Sequence, residues 1–183
     1  MTITSRLRKL AFDRSLLRPA LVFLGLTALL LVLLETPNPF TTGPLTSYAA
    51  WLAELVAAIV RRLGITVEVW NTVISSSRFA VNIVYGCTGV LPTSILAGAI
   101  LSYPGSHWRA KLAGIGLGAL VLQVVNVLRL VTIFAFSHFY PQWFQVAHRG
   151  IWEPLIIATA LLLWRLWARL WAEPARKMVT AHG

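Results

Sequence analysis

Four mostly apolar stretches, at about 19–34, 88–104, 111–135 and 150–170, constrain this chain more than any other feature. A helix needs roughly 20 apolar residues to cross a bilayer core. Inside hydrocarbon, only helices and closed barrels satisfy their own backbone hydrogen bonds. Of the 183 residues 12% are charged, about half the share in an ordinary soluble domain. The sequence therefore predicts an all-α integral membrane protein with about four transmembrane helices, organised as one membrane-embedded domain over 1–183. The first stretch also resembles a signal peptide, with Arg6, Arg8, Lys9, Arg14 and Arg18 ahead of an apolar core. No small-x-small site follows it, because Leu33-Leu34-Glu35-Thr36-Pro37 comes next. Retention as a span is the expectation.

Orientation follows from the basic residues. Four spans place Arg6, Arg8, Lys9, Arg14, Arg18, Arg109, Lys111, Arg165, Arg169, Arg176 and Lys177 on one side. Arg61, Arg62, Arg78, Arg129 and Arg149 fall on the other. Both termini are then cytoplasmic, with residues 1–18 as a tail. The net charge of +10 is a positive-inside signature facing anionic lipid and calls for no nucleic acid. Trp108, Trp164, Trp167 and Trp171 fit an aromatic belt at the span boundaries. In Gly114-Ile-Gly-Leu-Gly118, the small residues lie inside a span, where they let helices approach closely.

An extracytoplasmic insert covers about 35–87. Pro37, Pro39, Gly43 and Pro44 read as a loop. Residues 47–63 read as an amphipathic helix with Trp51, Leu52, Leu55, Val56, Ile59 and Leu63 on its apolar side. It either lies on the outer membrane surface or packs on the spans. Ile65–Trp70 and Phe79–Tyr85 read as two strands of a small β-hairpin around Ser75-Ser76-Ser77; Glu68 in the first strand has no evident role.

The hairpin delivers the chain to Asn82-Ile-Val-Tyr-Gly-Cys-Thr-Gly-Val90 and its single cysteine. One Cys forms no intramolecular disulfide and lacks the partners of a multi-Cys metal site. At the start of a span, helix-end N–H groups lower a thiol pKa and can hold an oxyanion. Gly86 and Gly89 leave room for a substrate backbone, and Thr88, Thr93 and Ser94 add hydroxyls. The competing reading is a buried structural Cys, the commonest role for an isolated one.

Gln123, Asn126 and Arg129 recur every third residue of the third span and form a polar sector on an apolar helix. An intramembrane Arg marks a functional site by default; alternatively it snorkels or pairs with Glu153. His107 and His182 fall on the cytoplasmic side, leaving His138 and His148 as outer candidates for proton transfer with a thiol. Glu153-Pro154 opens the fourth span, with the acid near the helix's positive end.

Gly-Cys-Thr-Gly opening a span, Asn-x-x-Arg in the next and a His before the last resemble the exosortase/archaeosortase family over about residues 80–155. Within it, the Gly-Cys-x-Gly-Val and Ala-His-x-x-Ile-Trp runs look most like exosortase H, except that Leu91 stands where that group has an acidic residue. The resemblance implies a cysteine transpeptidase of the bacterial inner membrane that acts on exported proteins bearing a C-terminal sorting signal: a short motif, a membrane helix and a basic tail. It implies Cys87 as nucleophile with Arg129 and His148 as partners, with no cofactor or metal. His138 has no counterpart. Asn126, Thr88, Gly89, Glu153 and His138 are the supporting candidates. Two other functions are open to the same residues: a membrane acyltransferase using a Cys87 thioester, and a non-enzymatic scaffold or transporter subunit with Arg129 as an anion site.

Overall fold

A computed structural model describes residues 14–35 and 39–171. The N-terminal Arg6, Arg8 and Lys9, Pro37, and the C-terminal Arg176, Lys177 and His182 lie outside them. Five helices follow in order: α1 (Arg14–Glu35), α2 (Pro39–Arg62), α3 (Val90–Ser102), α4 (Trp108–Phe139) and α5 (Glu153–Trp171). Between α2 and α3 stand three short strands, β1 (Glu68–Trp70), β2 (Val73–Ser75) and β3 (Ala80–Asn82). Three helical segments are long and apolar enough to cross a membrane, namely Thr42–Arg62, Trp108–Phe139 and Val146–Trp171. Leu17–Leu30 and Val90–Ser102 are shorter apolar helices. The protein is a multi-pass, essentially all-α membrane protein.

Two cores divide the molecule. In the helical bundle, α1 packs on α3, and α3 packs between α4 and α5. Leu96, Ile100, Leu122 and Trp167 are its buried centre. The glycine run of α4 works as a set of slots here. A methyl group at Gly114 would overlap the indole of Trp167, one at Gly118 would overlap Leu96, and one at Gly116 would meet nothing. The Trp167 Nε1–H donates to the Ala110 carbonyl at 2.9 Å. Trp167 is thus buried in the bundle and Trp164 half-buried beside Tyr103, contrary to the belt expected for them, while Trp108 and Trp171 are exposed. Gly114→Ala should destabilise by about 1–3 kcal/mol through overpacking, lowering the thermal unfolding midpoint in detergent. Gly116→Ala is the matched control and should not lower it.

The second core joins α2, the sheet and the last third of α4. Ala49, Leu52, Ala53, Val56, Ala57 and Val60 form one continuous buried stripe on α2, at the three- and four-residue spacing of a helix face. They meet Ile65, Val67, Ile74 and Ile83 from the sheet region, and Leu130, Val131 and Phe134 from α4. At 32 residues, α4 is about 48 Å long, longer than the roughly 30 Å of a hydrocarbon core, so one helix serves both cores. The apolar side expected for α2 is corrected accordingly. Leu52 and Val56 are buried, but Trp51 and Leu63 are exposed, because the alanines allow the closer approach. The helix also starts earlier than expected. Pro39 opens it, where the missing N–H costs nothing, and Gly43 and Pro44 lie within it rather than in a loop.

The expected two-strand hairpin is a three-stranded antiparallel sheet in the order β1-β2-β3. Trp70 pairs with Val73 across a two-residue turn. Asn71 takes the turn's left-handed position at φ 54°, which Asn tolerates better than most residues. The tight turn ends the first strand at Trp70 and returns the chain as β2, a strand the sequence pattern does not predict.

Candidate active site

Cys87 is not at a helix end. It closes a 3-10 turn, Tyr85–Cys87, and α3 begins at Val90 after Gly89. As a span, α3 is short: 13 residues cover about 20 Å, less than a hydrocarbon core. The Cys87 loop therefore has to satisfy its own polar backbone within protein. It does so with side chains. The Asn126 Nδ2–H donates to the Cys87 carbonyl at 2.9 Å. Thr88 Oγ1–H donates to the Tyr85 carbonyl at 2.7 Å, and Thr93 Oγ1–H to the Gly89 carbonyl at 2.8 Å. The Cys87 N–H donates to the Val84 carbonyl at 2.8 Å. The Thr88 and Thr93 hydroxyls are thus engaged with the loop itself instead of facing a substrate. Gly89 sits at φ 76° with Gln123 and Asn126 where a Cβ would be, so both its backbone angle and its lack of side chain are required.

Three side chains converge beside this loop. Cys87 Sγ lies 3.7 Å from His148 Nε2. Arg129 Nη2 lies 2.9 Å from the same nitrogen. Arg129 is 4% exposed and Asn126 is fully buried, so the polar sector of α4 faces inward. A guanidinium always donates, so His148 Nε2 is an acceptor and the ring proton resides on Nδ1. That nitrogen faces Glu153 Oε1 at 3.9 Å, an electrostatic contact longer than a hydrogen bond. Glu153 therefore lies at His148 and not at Arg129. The Arg129 Nε–H is buried with no hydrogen-bond partner among the described residues, leaving one donor unspent.

The position of His148 depends on backbone form. Val146–Trp152 is π-helical, and the Glu153 N–H bonds to the His148 carbonyl. In an α-helix, residues five apart point about 140° from each other; bonding five residues apart stacks them instead. Such turns are rare and are found at functional sites. The imidazole also packs at 5.4 Å, tilted by 36°, against Phe144, which packs at 5.3 Å on Phe79. His138 is elsewhere: its Nδ1 is 2.9 Å from Ser76 Oγ, tying the β2–β3 turn to the end of α4. The residues that sequence reasoning missed are Phe144 and Phe79. Their signal was faint, because each has other aromatics in its own segment, Trp143 beside Phe144 and Tyr85 in the run that begins at Phe79.

Residues 10–166 match the family profile described as transmembrane exosortase, Exosortase_EpsH. The chain belongs to the transmembrane exosortase family. No curated protein and no solved structure gives a match.

The electrostatics of this exosortase loop differ from the sequence expectation in one respect. Burial pushes the Cys87 thiol above its ordinary pKa, and the nearby Arg129 guanidinium pulls it only partly back. Desolvation prevails over both Arg129 and the backbone hydrogen bond with Val84, and the Glu153 carboxylate adds to it. The resting group is thus a thiol at neutral pH. Alkylation by iodoacetamide should keep accelerating above pH ~9.5, about one unit past the ordinary cysteine pKa, where a free cysteine levels off. Arg129→Gln, by removing the charge that favours thiolate, should slow it further at each pH.

Proposed function

We propose that this exosortase is a cysteine transpeptidase that cleaves a C-terminal sorting signal through a thioester and passes the exported portion to an acceptor. The carrying observation is the convergence of Cys87 Sγ and Arg129 Nη2 on one acceptor nitrogen of His148. As substrate binds, His148 Nε2 takes the thiol proton and Cys87 attacks the scissile carbonyl. Protonated Nε2 can no longer accept from Arg129, so the guanidinium turns its donors, Nε included, to the new oxyanion. His148 then protonates the leaving amine, the C–N bond breaks, and the passenger remains on Cys87 as a thioester. The acceptor nucleophile, deprotonated by His148, releases it. Glu153 steadies the imidazolium, and Asn126 holds the loop carbonyl beneath the nucleophile. No organic cofactor takes part.

The substrate's apolar helix has a place to lie. An apolar crevice of about 650 Å³ between α1, α3 and α5 is lined by Phe23, Pro92, Ile95, Ile157 and Leu161 among others. Pro92 is five residues from Cys87, so a helix there leads its preceding residues to the thiol. On the four-span charge pattern, we place the site on the outer side of the bacterial inner membrane, with both termini cytoplasmic. A hydroxylamine-labile adduct on Cys87, with the mass of the substrate's passenger, should accumulate when acceptor is withheld. Mass spectrometry showing a lipid acyl group there instead would replace this reading with the acyltransferase one.

A further inference from the structure

The sheet leaves a strand edge open next to Cys87. Register shows which backbone groups are already used. The Ser76 N–H bonds the Phe79 carbonyl and the Ile83 N–H bonds the Thr72 carbonyl, both at 2.8 Å. Val81 stands opposite Ile74 midway between these pairs. Antiparallel ladders alternate, so Phe79, Val81 and Ile83 direct their backbone groups at β2, while Ala80 and Asn82 direct theirs away. The Asn82 carbonyl accepts from the Val84 N–H at 3.1 Å. The Ala80 N–H, the Ala80 carbonyl and the Asn82 N–H have no partner among the described residues. Arg78, Ala80, Asn82 and Val84 are all exposed, and Val84 is the residue whose carbonyl receives the Cys87 N–H. An unpaired edge is a template for another strand, and this one leads directly to the thiol.

We propose that the β3 edge binds the substrate residues immediately before the scissile bond as an added strand, paired with Ala80 and Asn82 and parallel to β3. This deepens the transpeptidase reading and rests on it. Chain sense decides the direction. The β3 strand runs toward Cys87 and continues through α3 into the bundle. A substrate with its passenger before the scissile bond and its apolar helix after it runs the same way, strand beside β3 and helix beside α3. An antiparallel peptide would direct the passenger into the bundle. The strand held at the edge is the acyl half, so it stays docked after the helix departs and keeps the thioester in place for the acceptor. Main-chain pairing tolerates many side chains, leaving selectivity to alternate residues of the bound strand.

The test uses the purified full-length protein in detergent and three alkylating probes. Acetyl-Ala-Ala-Ala chloromethyl ketone reports peptide docking: the Cys87 sulfur displaces chloride to form a thioether, and the thiol proton passes to solvent. The same peptide with N-methylated alanine amides has no backbone N–H to donate and carries methyl groups that crowd the edge, and iodoacetamide needs no docking. Ala80→Pro deletes an N–H that faces away from the ladder, a position where an edge strand accepts proline. It should slow the plain peptide roughly fivefold, the worth of one hydrogen bond, and leave the iodoacetamide rate unchanged. On the unaltered protein, the N-methylated peptide should be slowed at least as much. Equal rates for the two peptides on the unaltered protein would overturn the proposal, as would a full plain-peptide rate in an Ala80→Pro protein whose iodoacetamide rate is normal. If Ala80→Pro alters the iodoacetamide rate, the comparison of the two peptides decides alone. Normal substrate processing by Cys87→Ala would instead remove the transpeptidase reading, whatever the probes do at the edge.

Discussion

Cys87→Ala is expected to abolish processing of a co-expressed signal-bearing protein while leaving the membrane protein folded. The loop is held by Asn126, Thr88 and Thr93 through backbone carbonyls, none of which involves the sulfur. The contacts given up are the 3.7 Å approach to His148 and part of the packing at the edge of the second core. Alanine at a half-buried position therefore costs little stability. On the transpeptidase reading, losing Cys87 costs on the order of 10⁴-fold or more in rate, because its partners act only through it. Immunoblots of the substrate, beside a thermal melt of the purified variant, read both quantities. Processing at the normal rate in a folded variant would exclude the thioester route, and the scaffold reading would then stand.

Arg129→Lys should be nearly as severe, at roughly 10²–10³-fold, the usual cost of one lost oxyanion donor. The charge is kept, so a role as a bare cation predicts little change. The fork is not kept. Lysine lacks the rigid planar set of donors that lets Nη2 meet His148 while Nε stays free for substrate. At 4% exposure, Arg129 is already desolvated, and a shorter reach there cannot be made up by water. The same processing assay measures it, with expression level and melting point as controls for folding. A lysine variant as active as the parent would show that charge alone suffices.

Much of the candidate site was legible because membrane chemistry penalises accidents. A polar residue in a span must face protein, so the three-residue spacing of Gln123, Asn126 and Arg129 already pointed one side of α4 inward. Glycines in a span point to close helix contact, and Gly114 and Gly118 meet Trp167 and Leu96. The histidines were not separable that way. His138 and His148 are both near helix ends and both aromatic neighbours, and only packing sends one to Ser76 and the other to Cys87. The thiol's raised pKa was hidden for a related reason: it comes from burial, which depends on tertiary packing. A helix-end argument depends on where the helix begins, and the left-handed Gly89 delays that start until Val90.

The sequence by itself determined the membrane-embedded helical class, the lone thiol and the inward-facing arginine, since hydropathy and period depend only on local residue order. Only the tertiary structure decided the rest. It turned a two-strand reading into a three-strand sheet with a free edge, and buried the alanine side of α2. Through a π-helical turn it set Glu153 behind His148. Each of these depends on which surfaces meet, and burial against a distant segment outweighs the few tenths of a kcal/mol per residue by which local propensities differ.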